Sequence, residues 1–505
     1  MAVMLAALVQ RGPAQVLTEP KLEHTAPESA RIRLPGSPFG IAWGFLYGYS
    51  GTKTETFMPA VRAAGAGVTK VYLFWNQIEP EKGRFQWDAV DAFLNQLNSP
   101  EEGLIALFST STWAVQRPGT MLPPSPAKSL DDYYQFVHAL VSHAKGRVRY
   151  WQNDSEPNSP VYWAGTKEDF VQELKVFYKA VKDADPSAVV VAGAYDGLFN
   201  PPGTHPMPGQ EKGLDFFNYV LKEGANSYDL FDLHLYADPY SIPWRVGYIR
   251  GRMQAYGYEK PIIGAEYNGP GFYEFPANWK YAPLVMKWLK AVAAGFANGE
   301  PTAQDAGQAE VAELYARMDK LDPQTQMFMQ GCSTQLEEKF GRIQARDLVM
   351  RNVLALSAGV QKMLYWAWHR DSPKRDDVMN LMYGKLTGCQ DCAPGRGCHF
   401  LEAYKRMAKA LEGVEAVTRR TVPDHPAIFL FEVRRRGRGP LDIVWEKRDV
   451  FSGEDAPATA VDFEWNSQSA VATDTTGQRT PVKIADGRIR LNVSVTPVFI
   501  EGDDR

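Results

Sequence analysis

The stretch EDFVQELKVFYKAVKDADPSAVVVAG (168–193) holds two periodicities, and the change between them sets the fold class. Phe170, Leu174, Phe177, Val181 and Ala184 recur at steps of three and four residues, which places them on one stripe of an α-helix. Asp185-Pro186 ends that helix, because proline lacks the N–H a further turn needs. The run AVVVAG (188–193) that follows is apolar without alternation and rich in β-branched valine. Strands buried on both faces have that character. A helix that leads directly into such a strand is half of a parallel βαβ unit.

The same alternation extends outward in both directions, from about Phe39 to Val414. The other short apolar runs are FGIAWG (39–44), TKVYLFW (69–75), GLIALFS (103–109), VRYWQ (148–152), DLFDLHLY (229–236), PIIGAEY (261–267) and KMLYWAW (362–368). Amphipathic stretches such as DAVDAFLNQL (88–97) lie between them. Eight strands, each followed by a helix, are the count of an α/β fold of the (β/α)8 TIM-barrel type. The competing architecture, a doubly wound open sheet that binds a dinucleotide, wants a GxGxxG turn after an early strand, and none is present.

The seventh and eighth runs are separated by a longer segment, 273–335, in which LVMKWLKAVAAGF and AEVAELYARMDKL are helical by period. In a barrel this insertion follows the seventh strand on the loop face, either as a lid or cleft wall or as a stabilising excursion. After Glu412 the pattern changes to the short alternating strands AIFLFEVRR, DIVWEKR, TAVDFEW, RIRLNVSV and PVFIEG, which read as a β-sandwich. The expected organisation is an N-terminal segment (1–36, with an edge strand within 18–36), a catalytic barrel (37–415) and a β-sandwich (416–505). The basic run VRRRGRG (433–439) reads as a solvated hairpin tip rather than a patch for an anionic ligand.

Of the 505 residues 45% are apolar and 23% charged, with a formal net charge of −4, so no footprint for nucleic acid is visible. No apolar run reaches the ~18 residues needed to span a bilayer. The start, MAVMLAALVQRGPAQV, has an apolar stretch without a basic region before it. It reads either as a signal peptide, for a secreted or periplasmic protein, or as a frayed helix, for a cytoplasmic one. Three of the four cysteines, Cys389, Cys392 and Cys398, sit in GCQDCAPGRGCHF, with Cys332 far off in sequence. The paired second half of a zinc site is missing, so a disulfide or free thiols are preferred and no metal is expected.

Barrel enzymes carry their reactive groups where strands end. The fourth run ends in Asn153, Asp154 and Glu156, the sixth in His234 and Tyr236, and the seventh in Glu266, Tyr267 and Asn268. Two glutamates thus face each other across the barrel mouth. Paired carboxyls are what glycosidic cleavage needs, one to protonate the leaving oxygen and one to attack the anomeric carbon or activate water. Taken singly, Glu156 also reads as a helix-start carboxylate capped by Ser155 with Pro157 in the first turn, and Glu266 as a buried salt-bridge partner. His234 and Tyr236, two apart on a strand, face the same way. A satisfied core histidine is the other reading of His234. Trp75, Trp113, Trp366 and Trp368 are candidate stacking surfaces for sugar rings, with core packing the more common fate of a tryptophan.

Several of these segments resemble the clan A retaining glycoside hydrolases, and most closely family 39, the β-xylosidase and α-L-iduronidase group. YLFWNQIEPEKGRFQWDAVD resembles the second-strand segment, STSTWA (109–114) the third-strand end, and WQNDSEPNSPVYWAGTKEDF the acid/base segment. HLY resembles the sixth-strand His-x-Tyr pair, PIIGAEYNG the nucleophile strand and YWAWH the eighth strand with its tryptophan platform. A trailing β-sandwich ending in VTPVFIEG is also typical, and the resemblance runs over roughly residues 35–500. It implies Glu156 as acid/base, Glu266 as nucleophile, Tyr236 as a hydrogen-bond donor to Glu266, and retention through a glycosyl-enzyme intermediate.

The chain departs from the clan at Ser155, where an asparagine would donate to the sugar's 2-hydroxyl. Asn153 or Asp154 replaces that contact, a water bridges it, or the substrate's C2 group is not a plain equatorial hydroxyl. The expected partner is a carbohydrate, and no cofactor is required. A catalytically idle barrel that binds polysaccharide is the alternative, against which both carboxyls stand. A metal-dependent lyase or aldolase would want a strand-end lysine or clustered histidines, and only Asp232 and His234 share a face.

Overall fold

Eight parallel strands close into a barrel in sequential order: β1 (Phe39–Ala42), β2 (Val68–Phe74), β3 (Glu102–Phe108), β4 (Tyr150–Asn153), β5 (Val189–Tyr195), β6 (Leu230–Leu233), β7 (Ile262–Tyr267) and β8 (Met363–Trp366). Closure is made by β8 on β1, from Phe39 opposite Met363 to Ala42 opposite Trp366. The structure is a computed structural model that describes residues 32–43, 57–120, 122–195, 199, 210–298, 306–367, 375–386 and 399–502.

Both faces of the barrel wall are buried, which is why its strands read as continuous apolar runs. Along β2, Val68, Tyr72 and Phe74 point inward to meet Phe108, Tyr150 and Leu364. Val71 and Leu73 point outward into the core under the helices. The helix Lys167–Ala184 buries the stripe Phe170, Leu174, Phe177, Val181 and Ala184 against that outer face. Its start is fixed by Thr166, which accepts from the Asp169 N–H while the Asp169 carboxylate reaches back, a reciprocal cap worth ~1 kcal/mol.

The insertion after β7 builds a second core of its own. Helices Ala282–Asn298 and Gln308–Ala316, with Phe272, Phe275 and Phe328, pack against Leu381 and Tyr383 of the short helix Val378–Tyr383 that follows β8. It therefore stands beside the C-terminal end of β8, as a wall next to Trp366.

Beyond the barrel lie a six-stranded and a three-stranded sheet, both antiparallel, packed over Leu430, Val444, Val461, Phe463, Ile489 and Leu491. Ile32 donates to the Glu415 carbonyl at the root of this module, but residues 32–36 form no strand, and 18–31 lie outside the described residues. The basic run is not simply solvated. Arg435 is buried and pairs with Glu501, while Arg436 and Arg438 reach Glu415 and Glu501. Among the described residues, no helix is long and apolar enough to cross a membrane. Cys389, Cys392, Cys398 and Trp368 fall outside the described residues, while Cys332 lies between Lys385 and Glu337.

Candidate active site

Strand β4 keeps a two-residue alternation until its end. Tyr150 and Gln152 point into the barrel, while Trp151 joins the outer core and Asn153 donates to the Tyr133 hydroxyl at 3.0 Å. Asp154 and Glu156 then adopt left-handed backbone, with φ of 52° and 51°, conformations that cost a non-glycine residue ~1–3 kcal/mol each. This twist leaves Asp154 outside, where its carboxyl accepts from the Ser109 N–H at 3.0 Å and contacts the Ser109 Oγ at 3.2 Å. Ser155 and Glu156 are turned into the barrel mouth. Turns rather than a helix follow Pro157, so Glu156 is not a helix-start carboxylate.

Glu266 reaches the same mouth by a different device. Gly264 lies opposite Met363 and Tyr267 opposite Tyr365, so three steps along β7 face two along β8. Such a bulge re-aims side chains beside it. On β6 the alternation continues past Leu233: Asp232, His234 and Tyr236 all point inward, while Leu233 and Leu235 join the outer core.

These elements assemble a buried polar cluster. Glu266 Oε1 accepts from Lys70 Nζ at 3.0 Å, from the Tyr72 hydroxyl at 2.5 Å and from Ser155 Oγ at 3.4 Å. Its Oε2 accepts from the Tyr236 hydroxyl at 2.9 Å and lies 3.5 Å from His234 Nδ1. His234 Nδ1 also sits 2.8 Å from Glu156 Oε1, and its Nε2 lies 3.6 Å from Asp232. Asp232 is held in turn by Gln152 Nε2 at 2.8 Å and the Ala265 N–H at 2.7 Å. Donor atoms of Glu156, His234 and Glu266 all fall within 4.8 Å of one another.

The electrostatics follow from one imidazole among three carboxyls. Burial pulls the His234 pKa down, but the charges of Glu266 and Asp232 and the hydrogen bond to Glu156 outweigh it, raising it from 6.5 to about 10. His234 is therefore an imidazolium at neutral pH, with Nδ1–H directed at Glu156. Burial and the Glu266 charge push the phenols of Tyr72 and Tyr236 well above their ordinary range, so both remain donors. Against its own burial, Asp232 is lowered by His234 and Lys70. The three donors of Glu156, His234 and Glu266 have the number and spacing to hold a divalent ion. The Lys70 ammonium and the protonated His234 already fill the cationic role there.

Of the residues singled out in the sequence, Glu156, Ser155, His234, Tyr236 and Glu266 come together in this cluster. Trp366 ends β8 beside it, meeting Tyr383 edge-on at 6.1 Å, and its carbonyl accepts from Asn268 Nδ2 at 3.0 Å. Tyr383 is close enough for the Glu156 charge to raise its phenol further, beyond the effect of burial. Trp75 and Asn153 are buried and point away from the barrel mouth, whereas Trp113 is partly exposed. Trp75 is 0% exposed, stacks on Phe136 at 4.7 Å and donates to Glu79 at 2.8 Å, because a short helix begins at Trp75 and carries it behind the barrel wall. Trp113 meets Trp75 edge-on and donates to the Glu79 carbonyl. Asn153 has the outward parity of its strand. Glu266 does have a salt-bridge partner, Lys70, but that pair is one part of the larger cluster.

Lys70, Tyr72, Gln152 and Tyr383 are the members that sequence reasoning passed over. The signal was present in VTKVYLF: a lysine inside a strand buried on both faces must have a carboxylate partner in the barrel, and Tyr72 two residues on shares its face.

The architecture is a (β/α)8 barrel with a C-terminal β-sandwich. Solved structures share that fold. A family 39 glycoside hydrolase from Bacteroides cellulosilyticus WH2 superposes with a TM-score of 0.59 at 15% identity, covering 94% of this chain and 82% of that one. A glucosidase from Croceicoccus marinus gives 0.51 at 13% identity, with 93% and 96% covered. A bifunctional glucanase-xylanase from a metagenome library gives 0.51 at 10% identity, with 94% and 98% covered. At such identities the likeness is one of fold. No protein-family profile and no curated protein matches the sequence.

Proposed function

We propose that the protein is a retaining glycoside hydrolase in which Glu156 is the acid/base and Glu266 the nucleophile. The observation that carries this reading is the approach of the two carboxyls, of which one oxygen each lies within 4.8 Å of the other at the ends of β4 and β7. Double displacement uses carboxyls ~5–5.5 Å apart, whereas direct attack by water needs ~6.5–9.5 Å. The glycoside hydrolases that share the fold support the substrate class, an O-glycoside.

Each neighbour then has a task. Lys70, Tyr72 and Tyr236 donate to Glu266 and fix its orientation for attack on the anomeric carbon. His234 faces both carboxyls, and Asp232 balances its charge. Two cations, Lys70 and His234, face three carboxyls, and the proton that the acid role needs is the one between His234 Nδ1 and Glu156 Oε1, 2.8 Å apart. Glu156 delivers it to the leaving oxygen as the glycosyl–Glu266 ester forms, and then takes a proton from the water that hydrolyses the ester. Ser155, its Oγ directed at Glu266, stands beside the attacking carboxylate, where the ring's C2 group would lie.

A screen of aryl glycosides (xyloside, glucoside, galactoside, arabinoside, uronide) identifies the sugar. With the sugar in hand, Glu266→Ala is expected to abolish turnover of the activated glycoside. Added azide should restore release of the aglycone and yield a glycosyl azide of inverted configuration. Parent-rate turnover by Glu266→Ala would refute the nucleophile role.

A further inference from the structure

The segment that carries Tyr236 lies beyond the ladder of β6, and its backbone is held by two buried guanidinium groups. Arg351 Nη1 donates to the Leu235 carbonyl at 2.7 Å and to the Ala237 carbonyl at 2.6 Å. Arg245 Nη2 donates to the carbonyl between them, that of Tyr236, at 2.6 Å. Both arginines are 1% exposed. Ala237 has a left-handed φ of 62°, a conformation that persists only where surrounding bonds impose it.

We infer that Arg351, on the helix Thr334–Ser357 outside the barrel, is a positioning residue that sets the Tyr236 hydroxyl against Glu266. The inference rests on the reading of Glu266 as nucleophile. Arg351 has one edge on the two carbonyls that flank Tyr236. Its other edge is fixed by Asp347, with Nε donating to Oδ2 at 3.0 Å and Nη2 to Oδ1 at 2.7 Å. Nη2 also lies 3.6 Å from Glu274, whose carboxylate accepts from the Gly271 N–H at 2.7 Å in the loop that follows β7. One planar group thus ties the segment after β6, which supplies the donor of the Tyr236–Glu266 bond, to the loop after β7, the strand that supplies its acceptor.

A lysine has three donors on a single atom and cannot span both carbonyls while gripping a carboxylate side-on. The planar fork of arginine can. Arg351 touches neither the phenol nor the carboxylate of that bond. A buried cation used only for stability is readily replaced by apolar packing. Here its bonds fall on the two carbonyls that flank one catalytic side chain, and geometry is what they supply.

The test is a double-mutant cycle joined to a spectroscopic readout. Arg351→Lys keeps the charge opposite Asp347 and is expected to lower kcat/KM for the activated aryl glycoside by about tenfold, the loss of a charge-assisted hydrogen-bond geometry. Tyr236→Phe is expected to cost at least as much. The double variant should fall within roughly twofold of Tyr236→Phe alone, because Arg351 acts through Tyr236. In protein labelled with [ζ-13C]tyrosine, the Tyr236 resonance, identified by Tyr236→Phe, should move in both Glu266→Gln and Arg351→Lys. The resonance of Tyr404, whose hydroxyl donates to the Gly40 carbonyl, should not move.

Multiplying losses in the cycle, or a Tyr236 resonance unmoved by Arg351→Lys, would overturn the inference. The resonance decides it without turnover, so a failure of the nucleophile reading, seen as an active Glu266→Ala, is told apart. Should Arg351→Lys not accumulate as folded protein, Asp347→Asn, which loosens the other edge of the Arg351 guanidinium, serves in the same two measurements.

Discussion

Replacing Asp154 by asparagine should stabilise the protein, and increasingly so as the pH rises. Asp154 is fully buried behind the acid/base turn, with Glu173 on the other side of Ser109. Ser109 Oγ contacts both carboxyls at 3.2 Å, yet a hydroxyl has one proton, so one carboxyl must bring its own. Burial pushes Asp154 from 3.8 up to about 7, with the Ser109 N–H and O–H pulling back. Glu173 is pushed well above its ordinary range by burial and by the Asp154 charge, against the pull of the Ala127 N–H and Ser109.

A carboxyl raised on folding contributes stability that is fully present below 3.8 and is lost as the pH climbs toward about 7. At 1.36 kcal/mol per unit, the loss between roughly pH 5 and that upper value is ~2–3 kcal/mol. Asparagine keeps the acceptor for the Ser109 N–H and gains a donor for its Oγ, and it tolerates the left-handed backbone. Urea denaturation of parent and Asp154→Asn should therefore show a gain larger by ~2–3 kcal/mol near pH 8 than near pH 5. An equal gain at both values, or a loss at the higher one, would refute the shared-proton account.

Two further outcomes follow from the site. Glu156→Gln should slow glycosides with poor leaving groups by ~10²–10⁴ while barely affecting those with good ones, and equal losses for both would remove its role as acid. Trp75→Phe should cost ~1–3 kcal/mol in denaturation through lost packing on Phe136 and the lost bond to Glu79, while the order of preference among aryl glycosides stays as in the parent. A changed preference would return Trp75 to the sugar-binding surface.

The barrel was legible because every strand is apolar on both faces and every helix has a stripe, and periodicity reports just that. Glu156 and Glu266 were legible as carboxyls at strand ends. How they turn inward was not. Strict alternation gives Glu266 the parity opposite to Ala265, and only the bulge against Met363 and Tyr365 brings it into the mouth. The same rule, applied to β4, gives Asn153 its outward direction, a deduction open to sequence alone once Tyr150 is placed inside. Trp75 misleads because the residue after β2 starts a helix, and its indole leaves the barrel axis there. Arg351 stands 85 positions from Glu266 in the chain, beyond the insertion, so no local pattern could connect the two.

The helix Thr334–Ser357 has a second grip besides Arg351. Nearer its start, Arg342 and Arg346 close on Glu454 of the sandwich at 2.9 and 2.5 Å, and Trp445 of that module donates to Tyr240, just past the segment clamped around Tyr236. An appended domain is ordinarily a detachable accessory, shuffled between enzymes or trimmed for expression. Here it works as a buttress. Shortening the gene at residue 415 would leave the helix tethered at one end and would strip Phe429, Phe431 and Trp445 from the core they share with the barrel.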